Sequence, residues 1–327
     1  MRSRLILAAA AALCMAAPAV RAQQTNLPNR PVLLMGGFPA GTQGDIYWRL
    51  IQEPLSRALG VPVAVEARTG ASGNIAMEAT ARSAPDGTTV LAATSAMLAI
   101  NRAVMPSMPI DTQTELAPVM TLFEVPNVLV TSTERRPAYT DCQALISIAR
   151  ARPGQLNYAS SGIGASTHLA AAQFASAAGL QMVHVPYRGG PFAMTALYQG
   201  DADLFFYQSG PVLDDWRQGK VRLLGITSAQ RVPTLPEIPT IAEACNMPGF
   251  VSTTWYGVVV SARTPPAVID RLYREIRAVT DTPEMRARIE GMGFTMMLGG
   301  PEDMRARLAA DIPHWAQVVE RSGARAQ

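Results

Sequence analysis

The chain has 327 residues, 48% hydrophobic and 16% charged, enough to build a core without disulfides or metals and too apolar to be disordered. Its formal charge of +3 includes Arg2, Arg4 and Arg21; without those three of the 28 basic residues, 25 Lys and Arg balance 25 Asp and Glu. With no net charge and no Lys/Arg run, the remainder offers no footprint for a polyanion, and nucleic acid is excluded as a partner class.

The amino terminus reads as an export signal. Met1-Arg2-Ser3-Arg4 is a positive start, Leu5 to Ala17 is apolar, and Val20-Arg21-Ala22 supplies small residues for signal peptidase, which predicts a signal peptide over 1–22, cleavage before Gln23 and a periplasmic product. The apolar run falls short of the roughly 20 residues needed to cross a bilayer, and Leu13 before Cys14 argues against a lipoprotein. Cys142 and Cys245 would remain. An oxidising compartment permits a bridge between them, but two cysteines this far apart favour buried thiols. The three histidines, His168, His184 and His314, have no neighbour at metal-ligand spacing, so neither a metal nor a cofactor is expected.

From Pro31 onward, strands and helices alternate. Val32 to Met35 predicts a strand, Ile46 to Leu59 an amphipathic helix, and Val61 to Val65 a second strand. Strands follow at Thr88 to Ala93, after Ala84-Pro85-Asp86-Gly87, and at Val128 to Thr131. Thr140 should cap a helix over Asp141 to Arg150, and Asn157 to Ser160 and Met182 to Val185 should flank a helix over Thr167 to Ala178. Further strands fall at Ala202 to Phe206 and Leu223 to Thr227. Three prolines between Arg231 and Pro239 precede a short helix at Ile241 to Ala244 and a strand at Tyr256 to Ser261, and Pro265, Pro283 and Pro301 open the last helices. This order predicts an α/β fold with parallel sheets covered on both faces.

Three loops rich in Gly and hydroxyls join a strand to a helix: Phe38-Pro39-Ala40-Gly41-Thr42-Gln43-Gly44-Asp45, Thr69-Gly70-Ala71-Ser72-Gly73-Asn74, and Ser160-Ser161-Gly162-Ile163-Gly164-Ala165-Ser166-Thr167-His168. Such loops lie at the carboxyl ends of strands, where free N–H groups at helix starts attract an anion. Any one of them taken alone reads first as an ordinary turn with capping residues; three together point to a carboxylate-sized ligand. Thr167 stands where a dinucleotide fingerprint needs its third glycine, and no Gly-Lys-Ser/Thr occurs, which disfavours nucleotides. Asp45 reads as the cap of a helix starting at Ile46. His168 beside Ser166 raises a periplasmic hydrolase as an alternative, although no Gly-x-Ser-x-Gly occurs. Arg188 could pair with a second ligand carboxylate or brace the surface, and Trp48, Trp255 and Tyr256 could wall the cleft or fill the core.

The first and third loops, together with Thr69-Gly70-Ala71-Ser72-Gly73-Asn74, Leu156-Asn157-Tyr158-Ala159-Ser160-Ser161-Gly162, Val183-His184-Val185-Pro186-Tyr187-Arg188-Gly189 and Leu235-Pro236-Glu237-Ile238-Pro239-Thr240, resemble the signature segments of the Bug (TctC-type) extracytoplasmic solute-binding proteins, the receptors of tripartite tricarboxylate transporters. The resemblance spans nearly the whole mature chain. It implies a type II periplasmic binding protein-like fold: two α/β domains around a ligand cleft, joined by crossing hinge strands, with 27–122 plus 228–327 as one domain and 123–227 as the other. It implies a monomer holding a small carboxylate for membrane transporter components, or an orphan receptor feeding a sensor kinase. The ligand residues it implies are Phe38, Pro39, Ala40, Gly41, Thr42, Gln43 and Gly44 in the first domain, and Ser160, Ser161, Gly162, Gly164, Ala165, Ser166, Thr167 and Tyr207 in the second. Tyr207-Gln208 stands where the family often carries an acid followed by Asn, which points away from amino acids and toward a neutral-bodied mono- or dicarboxylate, an organic or aromatic acid.

Overall fold

The computed structural model describes residues 28–105 and 107–322, so the expected signal peptide and cleavage site lie outside the described residues. Strand β1 (Val32–Gly36) pairs in parallel with β2 (Val63–Ala67) and β3 (Thr89–Thr94). Helix α1 (Gln43–Leu59) links β1 to β2, and α2 (Asn74–Ala81) links β2 to β3. Tyr47, Ile51, Leu55 and Leu59 recur every fourth residue on α1 and are buried with Trp48, the stripe a helix needs to cover a sheet. Trp48 therefore belongs to the core, its indole N–H donating to the Met35 carbonyl at 2.9 Å. A one-turn helix, α3 (Asn101–Val104), follows β3.

The largest departure from expectation is β4, which runs 17 residues from Leu116 to Ser132 where the sequence predicts four. Pro118 and Pro126, which have no N–H to give a ladder, both lie inside this strand. Up to Pro126 it pairs antiparallel with β9 (Thr253–Ser261), which in turn pairs with β3; from Asn127 it pairs antiparallel with β7 (Leu204–Gln208) and β8 (Val221–Ile226). One strand thus carries the chain from the first half of the sheet into the second. There β5 (Asn157–Ser160) pairs in parallel with β6 (Val183–Pro186) and β7, and α4 (Cys142–Ala151), α5 (Ser166–Ala178) and α6 (Gly190–Gln199) cover the faces. The strand order is β2-β1-β3-β9-β4-β7-β5-β6, with β8 and β10 (Thr295–Met296) also on β4. This is the α/β alternation that the sequence predicts, but the expected parallel sheets are one mixed sheet: only β1–β3 and β5–β7 pair in parallel, while β3, β9, β4, β7 and β8 meet antiparallel, because β4 and β9 run between the halves instead of returning through a crossover helix.

After β8 the chain returns through a short helix α7 (Ile241–Ala244) to β9. Val232, Leu235 and Ile238 pack with Val128 and Phe205, and Ile241 and Phe250 with Phe174 and Phe206. Residues 232–250, expected with the first domain, therefore bury their apolar side chains in the second half of the sheet. Cys142 and Cys245 form a disulfide, which corrects the expectation of two buried thiols: 103 residues of chain separate them, and only the packing of α7 beside α4 brings them together. Asp141, not Thr140, caps α4, accepting from the Ala144 N–H at 2.8 Å.

Three helices close the first half: α8 (Pro266–Thr280), α9 (Pro283–Gly291) and α10 (Pro301–Ser322). Trp255 is buried, with its indole N–H on Asp311 of α10 at 2.6 Å. Farther along α10, Trp315 and Val319 pack with Ile100 and Val104 from the first half and Leu169 from the second. That cluster spans both halves beside the loops described next.

Candidate functional site

The first loop leaves β1 and enters α1 at Thr42, the N-cap residue, which has extended backbone and no side-chain cap on the helix. Thr42 instead folds back, its hydroxyl donating to the Pro39 carbonyl at 2.9 Å. Asp45 does not cap a helix at Ile46. It sits inside the first turn, accepts the Gly41 N–H at 2.9 Å and takes Arg49 Nε on both oxygens at 3.0 and 3.1 Å. The Arg49 guanidinium holds its carboxyl below the usual range. Gly41, at φ +84°, makes this return possible because a side chain disfavours that conformation.

In the third loop, the Ser161 N–H donates to Thr167 Oγ1 at 2.9 Å, and the two hydroxyls lie 2.8 Å apart. Ser160 is fully buried, with Oγ 2.7 Å from His184 Nε2. The Gly164 N–H donates to His168 Nδ1 at 3.1 Å, so the imidazole is neutral there, and its ring stacks on His184 at 3.8 Å and 4°. Ala165 is the N-cap of α5 and offers no side chain to the first turn, which contains no acid. That leaves helix N–H groups without an intrahelical partner and a positive helix end facing the loop. Among the described residues the Ser166 hydroxyl makes no hydrogen bond to His168, whose Nδ1 accepts from Gly164 instead.

Between these loops lies a cavity of about 370 Å³. Phe38, Thr42 and Gln43 form one wall, and residues 161–166 the opposite one. Its floor is built where β4 changes partners, from Val125, Gln208, Thr254 and Tyr256. Among the described residues lining it, none carries a charge. Of the residues singled out from the sequence, Phe38, Thr42, Gln43, Ser161, Gly162, Gly164, Ala165 and Ser166 line it. Pro39, Ala40 and Gly41 shape the loop behind the wall; Gly44 packs on the Tyr256 ring, where a Cβ would come within 3.1 Å. Ser160 and Thr167 are buried braces.

Tyr207 is absent from the lining and Gln208 takes its place, because successive strand residues face opposite ways. The Tyr207 ring stacks on Phe205 at 4.8 Å and abuts Gly190. Arg188 is exposed and does not line the cavity. Ser72, Thr94, Asn101, Val104 and Met105 also line it. Ser72 lies on the second glycine-rich loop at φ +54°, where its carbonyl accepts from Asn101 Nδ2 at 3.0 Å; that loop carried the signal, whereas Asn101 and Thr254 had none in the local sequence.

Burial, with the charge of His184 second, lowers the pKa of His168 from 6.5 to about 4. The unfolded chain takes up this proton near pH 6.5 and the folded chain refuses it until about pH 4. Stability from this group is complete above pH 6.5 and is lost as pH falls toward 4, by about 3 kcal/mol. Urea unfolding at pH 7 and pH 4.5 should show a smaller acid loss in His168→Phe than in the parent, and equal losses would contradict this assignment.

A family model described as the tripartite tricarboxylate transporter family receptor matches residues 47–324. Protein BugT of Bordetella pertussis is 34% identical over 299 residues, covering 91% of each chain. Among solved structures, R. palustris Rpa4515 with adipate matches with a TM-score of 0.77 and 32% identity, covering 91% of this chain and 99% of that one. MatC from Rhodopseudomonas palustris with bound malate matches with a TM-score of 0.73 and 26% identity, over 89% and 99% of the two chains. With its loop-walled, charge-free cavity set at the carboxyl ends of parallel strands, this chain belongs to the tripartite tricarboxylate transporter family of receptors, the Bug or TctC proteins.

Proposed function

We propose that the protein is a periplasmic receptor that captures a small carboxylate in the 370 Å³ cavity and delivers it unchanged to the membrane components of a tripartite transporter, acting as a monomer without catalysis. The observation that carries this reading is the start of α5: an uncapped helix end with no acid in its first turn, opening between Ser161 and Ser166 into a cavity with no charged lining residue. An anion there meets oriented N–H groups and hydroxyls and no opposing carboxylate. Rpa4515 with adipate and MatC with bound malate support the same chemistry in this chain. Among the described residues, no helix is long and apolar enough to cross a membrane; export with cleavage before Gln23 is part of this reading.

Two lobes are part of this reading, and the way the sheet is built supports them. The chain passes between its halves at Pro126–Asn127 and returns at Ser252–Thr253, beside Thr227, where the Asn127 N–H donates to Thr227 Oγ1 at 2.8 Å and the Ser252 N–H to the Thr227 carbonyl at 2.9 Å. These narrow crossings are the natural hinge for opening and closing over the ligand. Protein recovered from periplasm and sprayed under native conditions should carry a small acid, and denaturation should release that acid intact. An acid converted to product on incubation with fresh protein would replace the receptor by an enzyme.

A further inference from the structure

The strand floor of the cavity has a chemistry that the loop walls do not. Gln208 ends β7 with its amide free of hydrogen bonds among the described residues, and it lines the cavity. Its cross-strand partner is Asn127, which therefore stands on the same face, as does Val125 two residues earlier on β4. Asn127 is 1% exposed and lies behind Gln208 rather than in the cavity lining, and its Oδ1 is buried without a partner. A buried acceptor left unpaired is costly, and a donor arriving with the ligand would satisfy it. The charge balance is equally one-sided. Asp45 already occupies the first turn of α1, whereas α5 has no acid in its first turn, so the cavity has one strongly positive pole, on the loop wall, and none on the floor.

We propose that Gln208 and Asn127 form a neutral hydrogen-bonding subsite, and that the ligand is a monocarboxylate carrying a hydroxyl on its body away from the carboxylate. The hydroxyl donates to an amide oxygen of this pair and accepts from the Gln208 NH₂, while the carboxylate faces the start of α5. A second carboxylate on the floor would lose its water and find no cation. This inference rests on the carboxylate reading above.

The test is titration calorimetry of the mature protein with matched straight-chain acids of four to eight carbons: plain monocarboxylates, their ω-hydroxy derivatives and the corresponding diacids, with the ω-hydroxy amides as a further arm. At the best-fitting length the ω-hydroxy acid should bind about fivefold or more tighter than the plain acid and tighter still than the diacid. Gln208→Leu should erase the preference for the hydroxyl, and Asn127→Ala should reduce it. A diacid binding as tightly as the hydroxy acid, or a hydroxyl preference that survives Gln208→Leu, overturns the proposal. Equal binding of ω-hydroxy acid and ω-hydroxy amide would instead overturn the carboxylate reading, so the two failures are distinct.

Discussion

Masking the carboxylate of a bound acid as its amide is expected to weaken binding by about 100-fold or more. Hydrogen bonds to a charged group contribute roughly 1.5–3 kcal/mol each, and the start of α5 presents main-chain N–H groups together with the Ser161 and Ser166 hydroxyls on the cavity wall. An amide loses the charge at every one of these contacts and turns one accepting oxygen into an NH₂ facing donors. Two such contacts suffice for the effect, because about 2.7 kcal/mol is a factor of 100. Ser166→Ala removes a hydroxyl that has no other bond among the described residues and should weaken acid binding several-fold. Ser161→Ala should cost more, since that hydroxyl is also 2.8 Å from Thr167 Oγ1 and helps hold the loop in shape. Calorimetric titration of acid and amide side by side reads this directly, and equal affinities would sink the helix-end model.

Removing the Cys142–Cys245 bridge is expected to lower the unfolding free energy by about 2–5 kcal/mol. In the chain-entropy view a bridge closing about 100 residues restrains the unfolded state by about 4.7 kcal/mol at most, and this one spans 103. It ties α4 to α7 and so pins the returning segment 232–250, whose Ile241 and Phe250 lie in the same apolar cluster as Leu145 and Phe174. The double variant Cys142→Ser with Cys245→Ser should shift the urea midpoint down, and the parent should show the same shift under reducing agent. A midpoint unmoved by both treatments would show that the apolar cluster alone holds the segment. Neither cysteine lines the cavity, so ligand affinity measured well below the unfolding transition should change far less than stability.

The sequence by itself determined the α/β alternation, the two loops that wall the cavity and the absence of a charged run. These are local properties: a strand followed by Gly, Ser and Thr and then a helix start is written in consecutive residues, as in Ser160 to His168, and the hydrogen bonds that shape the loop, Ser161 to Thr167 and Gly164 to His168, span six and four residues. Even so, local sequence does not place a helix start where the chain offers two candidates. Asp45 looked like a cap and proved to be an inner brace, because a carboxylate can accept N–H groups from either side of a helix start.

Tertiary structure alone decided the rest. Strand β4 continues through Pro118 and Pro126 because its pairing with β9 on one side and with β7 and β8 on the other outweighs the local signal of two prolines. That crossing sets Val125, Thr254 and Gln208 side by side on the cavity floor, although they are distant in sequence. It also determines that Gln208 rather than Tyr207 faces inward, since a one-residue difference in strand phase reverses every side chain. The disulfide belongs to the same class. Contacts between residues a hundred positions apart depend on how whole elements pack, and the apolar periodicity that places an element in a core does not name the element it will meet.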